Sequence, residues 1–420
     1  MALDYLRRYV RQQAPESIAI PERMSPSSYS MDGLVPGRTV RSELGTYFVG
    51  ESSHPAGTYH GPHPLSGLDT LSATRLAFLS RDPELAYADL SRAVFLDTET
   101  TGLNLGTGTY VFLVGAGYIE NGHFRVDQFL LQDPGEELAF LTALDAFLRR
   151  FSVIITFNGK AFDWPLLEGR FVRHRQFRKA PLNDPPHIDL LHPARRFWKR
   201  RLESCALSSL EHHVLGLTRT GEDVPGWMIP SLYFSYVRSG DGTKLARVFY
   251  HNLQDILSLA SLTIHMDRVT SDPMGGLVKH ASDFLCIGKM FEWAGDAEEA
   301  VACFDECLRR DPSESDKQES LMRLAAVFKR ERRWDAALQT WERLIELGTP
   351  AMVPALIERA KYYEHVEGSY LDALDDVQRA LNLYELAHPR FIIDRNELEH
   401  RRSRLLNRIY RKRSWALAHE

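Results

Sequence analysis

Ala93-Val94-Phe95-Leu96-Asp97-Thr98-Glu99-Thr100-Thr101-Gly102 joins an apolar run to an Asp-x-Glu pair. Val94, Phe95 and Leu96 are continuous in the way of a strand covered on both faces. Side chains alternate along a strand, so Asp97 and Glu99 point to the same side. Two carboxylates that close repel unless a cation compensates them, and their hard oxygens suit Mg²⁺ or Mn²⁺. An edge strand with a wetted polar face is the plainer reading of an isolated Asp-x-Glu. Two further acidic motifs downstream argue against it.

Val153-Ile154-Ile155-Thr156-Phe157 predicts another buried strand, running into Asn158-Gly159-Lys160-Ala161-Phe162-Asp163-Trp164-Pro165. Pro165 suits a first helical turn, so Asp163 stands at or beside a helix start, where by itself it reads as an N-cap. Tyr250-His251-Asn252-Leu253-Gln254-Asp255 lies in a long helical pattern with Ile256, Leu259 and Ala260 on its apolar face. His251 and Asp255, four apart, lie one above the other on a helix. Tyr250, five before Asp255, is turned about 140° away.

Asp-x-Glu, Asn-Gly-x-x-Phe-Asp and His-Asn-x-x-Asp together resemble the ribonuclease H-like DEDD exonuclease superfamily. Leu202-Glu203-Ser204-Cys205-Ala206-Leu207-Ser208-Ser209-Leu210-Glu211 and Asp223-Val224-Pro225-Gly226 resemble its YprB-like (mitomycin repair factor B-like) branch. So does the tetratricopeptide-like C-terminal part, and the similarity spans roughly residues 40–385. The resemblance implies an α/β ribonuclease H-like mixed sheet with flanking helices, followed by an all-α helical repeat domain. It implies a two-metal-ion phosphodiester hydrolase, a 3′–5′ exonuclease acting on DNA in repair beside a separate helicase. On this reading two Mg²⁺ or Mn²⁺ ions are held by Asp97, Glu99, Asp163 and Asp255. Asp97 bridges the ions, Glu99 and Asp255 serve the water-side ion, and Asp163 serves the other. His251 takes the proton from the attacking water, a task imidazole suits near neutral pH. One departure matters: superfamily members with a histidine base place it five residues before the last Asp, and those with a tyrosine four before. Here the two are exchanged, and helix geometry favours His251. Nothing in the sequence reads a 2′-hydroxyl or excludes a duplex. RNA-directed or internal cleavage therefore stays open, as does a silent scaffold that binds proteins through its repeats. The presence of all four acids argues against the scaffold.

The net charge of −5 looks wrong for a partner of nucleic acid until it is divided along the chain. From Arg170 to Arg201 there are ten Lys or Arg against two Asp, with Phe171, Phe177, Phe197 and Trp198 interleaved. Cations with aromatics suit phosphate contact and base stacking. Arg195, Arg196, Lys199, Arg200 and Arg201 are the expected phosphate contacts, and Asn158 is expected to help hold substrate or its own loop. Arg390 to Arg413 holds nine Lys or Arg against three acids and reads as a basic helix or tail without an assigned role.

Four segments follow: an N-terminal extension over residues 1–90, partly irregular; an exonuclease domain over 91–272; tetratricopeptide-like repeats over 281–390; and the basic C-terminal segment over 391–420. Met1 to Val10 reads as a short amphipathic helix, charged where a signal peptide is apolar. His54, His60 and His63 lack a fourth ligand for zinc. Within 91–272, strands are expected at 110–119 and 124–131 around Asn121-Gly122, a hairpin turn. A helix over 134–150, a strand at 153–157, a helix and a short strand near Ile188 complete the sheet. Gly106-x-Gly108 and Gly115-x-Gly117 are not followed by helices and are not nucleotide fingerprints; no Walker A sequence occurs, so the chain drives no ATP motor.

After residue 280, Ala300, Ala337 and Ala373 recur at spacings of 37 and 36, with Phe304, Trp341, Val377 and Leu308, Ile345, Leu381 in step. That period signals stacked helix pairs. Ala281 to Leu386 carries 13 basic and 22 acidic residues, a surface suited to a protein partner and repellent to nucleic acid. The four cysteines have no paired metal spacing, and no segment is apolar enough to span a bilayer, so a reduced cytoplasmic chain without membrane contact is expected.

Overall fold

The computed structural model describes residues 31–102, 108–174, 185–219, 223–349, 351–386 and 394–417. The expected helix at Met1 to Val10, Gly106, the basic residues Arg175, Arg178 and Lys179, and Arg390 lie outside them. Two compact units emerge: Met1–Leu190 with Ala206–His265, and Leu191–Cys205 with Met266–Glu420.

The first unit is built on a seven-stranded mixed sheet. Its strands are β1 (Gly37–Ser42), β2 (Gly45–Pro55), β5 (Ala93–Thr100), β6 (Val111–Glu120), β7 (His123–Leu130), β8 (Val153–Thr156) and β9 (His187–Asp189). They lie side by side in the order β1-β2-β7-β6-β5-β8-β9. A two-residue hairpin, β3 (Tyr59–His60) with β4 (His63–Pro64), stands apart. Strand β5 pairs antiparallel with β6 and parallel with β8. It is thus the middle strand of the five that the sequence pattern anticipates. Val94, Phe95 and Leu96 are all buried, as a doubly covered strand requires.

The sheet is two strands wider than expected. β1 and β2 come from the N-terminal extension, and β2 pairs with β7 from Phe48 to Pro55. Only Phe48, Val49 and Gly50 of β2 are buried. A strand that is half wet along most of its length lacks the alternation by which strands are read.

Two glycines let the long helix Ala246–Ser271 lie close against the sheet. A Cβ on Gly115 would stand 2.1 Å from Asn252 Oδ1, and one on Gly117 would stand 2.5 Å from the Ile256 side chain. The Gly-x-Gly of β6 therefore serves helix approach. The helix Asp163–Arg173 is fixed from below by Arg170, which donates to Glu137 Oε1 at 2.5 Å and Oε2 at 2.6 Å. Its guanidinium also lies 4.2 Å from the centre of the Tyr110 ring. Arg170, counted in the basic window, is thus a buried clamp.

The second unit is helical. The pairs Ala281–Ala294 with Ala297–Arg309, Glu314–Arg330 with Trp334–Glu346, and Met352–Tyr362 with Tyr370–Leu386 follow the expected period. Ala300, Ala337 and Ala373 are each fully buried, and Phe304, Trp341 and Val377 are buried in step. A final helix, Arg395–Leu417, carries the basic run. Its Arg401 and Arg404 donate to Glu364 at 2.6–2.8 Å, and Arg408 stands 3.7 Å from the same buried carboxylate. Among the described residues no helix is long and apolar enough to cross a membrane.

Candidate active site

Strand β5 presents Asp97 and Glu99, and the pairing register shifts just beyond them, between Glu99 and Thr100. Beside β5, the turn after β8 puts Asn158 in the left-handed conformation (φ 65°), which asparagine tolerates. Buried Asp189, at the end of β9, holds that turn: Asn158 N donates to its Oδ1 at 2.8 Å and Lys160 N to its Oδ2 at 3.1 Å. Asp189 is therefore a brace. Asp163 begins the next helix, and its carboxylate accepts a hydrogen bond from Thr98 Oγ1, which ties the helix start to the strand.

From the opposite side, the helix Ala246–Ser271 brings His251, Asn252 and Asp255. Fully buried Asn252 donates Nδ2 to Asp97 Oδ2 at 2.8 Å and accepts Gln128 Nε2 at 2.9 Å on its own Oδ1. Gln128 donates also to the Phe249 carbonyl at 2.8 Å. The Asp97 carboxylate is thus oriented by a buried amide pair. Donor atoms of Glu99, His251 and Asp255 all lie within 4.8 Å of one another, a spacing that could hold a metal ion.

The electrostatics are unusual for a group of acids. Burial, then Asp255, Glu99 and Asp163, push the Asp97 carboxyl well above the usual range. Burial, Asp255 and Asp163 do the same to Glu99. Asp163 is raised to about 6, chiefly by burial, although Thr98 opposes the shift. Asp255 is raised by burial despite His251 and Arg219. Carboxylates held together against their own repulsion, with hard oxygen donors and one imidazole, fit a divalent cation such as Mg²⁺ or Mn²⁺.

His251 is held by a residue that received no chemical role from the sequence. Its Nδ1 lies 2.7 Å from Asp223 Oδ1, while its Nε2 lies 3.5 Å from Asp255 Oδ2. An ionised carboxylate only accepts, so the Asp223 contact places a proton on Nδ1 and turns Nε2 toward Asp255. Burial works against ionisation of Asp223, but His251 and Arg219 prevail and hold its carboxyl below the usual range. Arg219 donates to Glu211 at 2.7 Å through both Nε and Nη2, and it also reaches Asp223 and Asp255. Glu211 and Asp223 sit in the two branch-specific phrases of the sequence. Their presence there was the only signal, and Arg219 gave none.

Asp97, Glu99, Asp163, His251 and Asp255 thus converge, and exposed Asn158 sits on the adjoining turn. The five basic residues expected on substrate belong instead to the helical unit. Within it, Arg200 pairs with Asp316 and donates to Glu319 at 2.7 Å, and Arg201 pairs with Asp283 at 3.0 Å. Arg195 and Lys199 are exposed and Arg196 is half-buried. The charge window was legible, but the acids that neutralise part of it lie some 80–120 positions away in sequence. No local pattern announces them.

Comparison with known proteins agrees with this geometry. Residues 94–267 match the RNase_H superfamily, and residues 319–347 match the tetratricopeptide repeat. YprB, an uncharacterized protein of Bacillus subtilis (strain 168), is 31% identical over 340 residues, which is 80% of this chain and 80% of YprB. Sheet, acidic cluster and helical repeats are thereby joined in one conclusion: the chain belongs to the YprB family, an RNase H-like domain followed by C-terminal tetratricopeptide repeats.

Proposed function

We propose that the chain is a metal-dependent nuclease that removes nucleotides from the 3′ ends of DNA, acting in repair. One observation carries the reading: four carboxylates from one strand and two helices are held against their own repulsion beside a histidine oriented by Asp223. Asp97, Glu99, Asp163 and Asp255 would hold two Mg²⁺ or Mn²⁺ ions. When bound, such ions stabilise charge developing on a phosphodiester and acidify water.

The chain's own residues supply the rest. Asn252 and Thr98 fix the carboxylates of Asp97 and Asp163, so little reorganisation is needed at the moment of reaction. Nε2 of His251 accepts the proton of the attacking water, and Asp223 stabilises the imidazolium that results. Asn158, Arg195, Arg196 and Lys199 contact substrate, whereas Arg200 and Arg201 chiefly brace the helical unit. The acidic repeats take a protein partner, a role compatible with a separate helicase.

The test is direct. Full-length protein is incubated with 5′-labelled and 3′-labelled DNA and RNA, single- and double-stranded, with Mn²⁺, Mg²⁺ or a chelator. We expect metal-dependent shortening of 5′-labelled DNA from its far end and no cutting of closed circles. Cleavage that persists in chelator, or that survives Asp97→Ala, removes the metal assignment. Cutting of circles makes the enzyme internal, and faster loss of RNA changes the substrate.

A further inference from the structure

Arg219 holds an unusual position. Its side chain is 16% exposed, and its guanidinium touches four groups of the acidic cluster. Nε and Nη2 grip both oxygens of buried Glu211 at 2.7 Å. Nη1 reaches Asp223 Oδ2 at 3.3 Å and lies 3.2 Å from His251 Nδ1. Nη2 donates in addition to Asp255 Oδ1, so one nitrogen is shared between Glu211 and a carboxylate assigned to the metal.

The two halves of this arrangement differ in kind. The Glu211 contact is a planar two-point fork, the geometry in which arginine binds carboxylate most firmly. The Asp255 contact is one-point, made by a nitrogen already engaged. Asp255 also stands beside Glu99, and among the described residues no other Lys or Arg pairs with its oxygens. A cation arriving at this carboxylate meets a positive charge already resident on it.

We propose, resting on the metal-site reading above, that Arg219 is an exchangeable counter-cation. Anchored on Glu211, it neutralises Asp255 in the metal-free protein and yields that oxygen when the ion binds, and so it sets the metal affinity. Two consequences follow from charge alone. Without Arg219 the ion meets an uncompensated Asp255 and binds more tightly. The metal-free protein, in turn, must carry the full repulsion and melts lower in chelator, and added metal restores more of its stability than in wild type.

The experiment is a Mn²⁺ titration of the full chain by calorimetry and by loss of the free Mn²⁺ paramagnetic resonance signal, neither of which requires turnover. Wild type is compared with Arg219→Gln and Arg219→Lys. Arg219→Gln leaves Glu211 buried without its partner, which endangers folding, so Glu211→Gln with Arg219→Gln is prepared as well. We expect at least a 10-fold tighter dissociation constant for Arg219→Gln and for the double variant, with Arg219→Lys between, because one ammonium cannot serve both carboxylates. Unchanged or weaker binding in the folded variants overturns the exchange and leaves Arg219 a structural brace. If wild type and all variants fail to bind Mn²⁺, the metal reading falls and takes this inference with it. The two failures are thereby distinguishable.

Discussion

Glu364 in the helical unit and Asp97 in the sheet unit are both acids withdrawn from water, and their surroundings are opposite. Glu364 has Arg401, Arg404 and Arg408 around it. Burial alone would raise its carboxyl, but Arg404, His365 and Arg401 hold it below the usual range. Asp376 is gripped by Arg359 at 2.7 and 2.8 Å in the same manner. Asp97 has three other acids as neighbours and one amide as donor, and its carboxyl rises. Burial pushes both carboxyls up; around Glu364 the cationic partners outweigh it, whereas around Asp97 the neighbouring acids add to it. A unit that pairs its acids with arginine is held together by them. Among the described residues, Asp97, Glu99, Asp163 and Asp255 have one arginine contact, Arg219 on Asp255, and their mutual repulsion suits them to a cation.

The largest effects should come from deleting one acid of each kind. Asp97→Ala is expected to lower metal-dependent cleavage by at least about 10³-fold, the scale of losing a central charge-stabilising group. Its melting temperature in chelator should stay level or rise, because a repelling charge has gone. Glu364→Ala leaves three arginines facing an empty site and should cost about 3–5 kcal/mol in the helical unit, the range for breaking a buried ion pair. Thermal unfolding followed in chelator gives both numbers. Equal destabilisation by the two substitutions would erase the contrast.

Next in size is the histidine. His251→Ala should reduce turnover by roughly 10²–10⁴-fold with substrate binding retained. Asp223→Asn should reduce it by about 10-fold and change the pH–rate profile, since it removes only the group that orients and stabilises the imidazole. Tyr250→Phe should change turnover little. A crippled Tyr250→Phe with an unaffected His251→Ala would give the water to tyrosine.

How much of this was written in the sequence depends on how local each signal is. The proximity of Asp97 to Glu99 and of His251 to Asp255 was legible because strand and helix periods place each pair on one face, whereas Asp163, at a helix start, read by itself as an N-cap. The repeat helices were legible because Ala300, Ala337 and Ala373 keep register. Strands β1 and β2 were not, because Phe48 and Val49 form a two-residue apolar patch in a polar strand. Arg219 was invisible because its meaning lies in partners at 211, 223 and 255, on three different segments. The same holds for Arg200 and Arg201, whose roles are set by Asp316 and Asp283. Motif reading finds the candidate groups; the residues that pair with them emerge only in three dimensions.

A smaller effect tests the sign of the acid shifts. Asp163 keeps its proton to about pH 6 in the folded protein and releases it near 3.8 when unfolded. Between those values the unfolded state binds fewer protons, so wild-type stability falls as pH rises through the window and levels off above it. Asp163→Asn lacks this loss. Its stability relative to wild type, measured in chelator, should grow by an amount on the order of 2 kcal/mol from pH 4 to 6.5 and then stay constant. A gap that narrows across the window means that Asp163 is stabilised as an anion, as Glu364 is.

The smallest expected effect separates two kinds of arginine within one short segment. Arg195 and Lys199 are exposed, whereas Arg200 and Arg201 hold Asp316, Glu319 and Asp283. Replacing Arg195, Arg196 and Lys199 together by glutamine should flatten the logarithmic salt dependence of binding to single-stranded DNA, by about 0.7 for each phosphate that is no longer neutralised. Melting should stay within a degree or two. Arg200→Gln with Arg201→Gln should leave the slope nearly unchanged and lower stability by about 1–3 kcal/mol, between the values for exposed and buried pairs. If instead the second pair flattens the slope, the ion pairs open to receive phosphate. The nucleic-acid contact of the helical unit would then extend to Arg200 and Arg201, and the separation of bracing from binding arginines within this segment would fail.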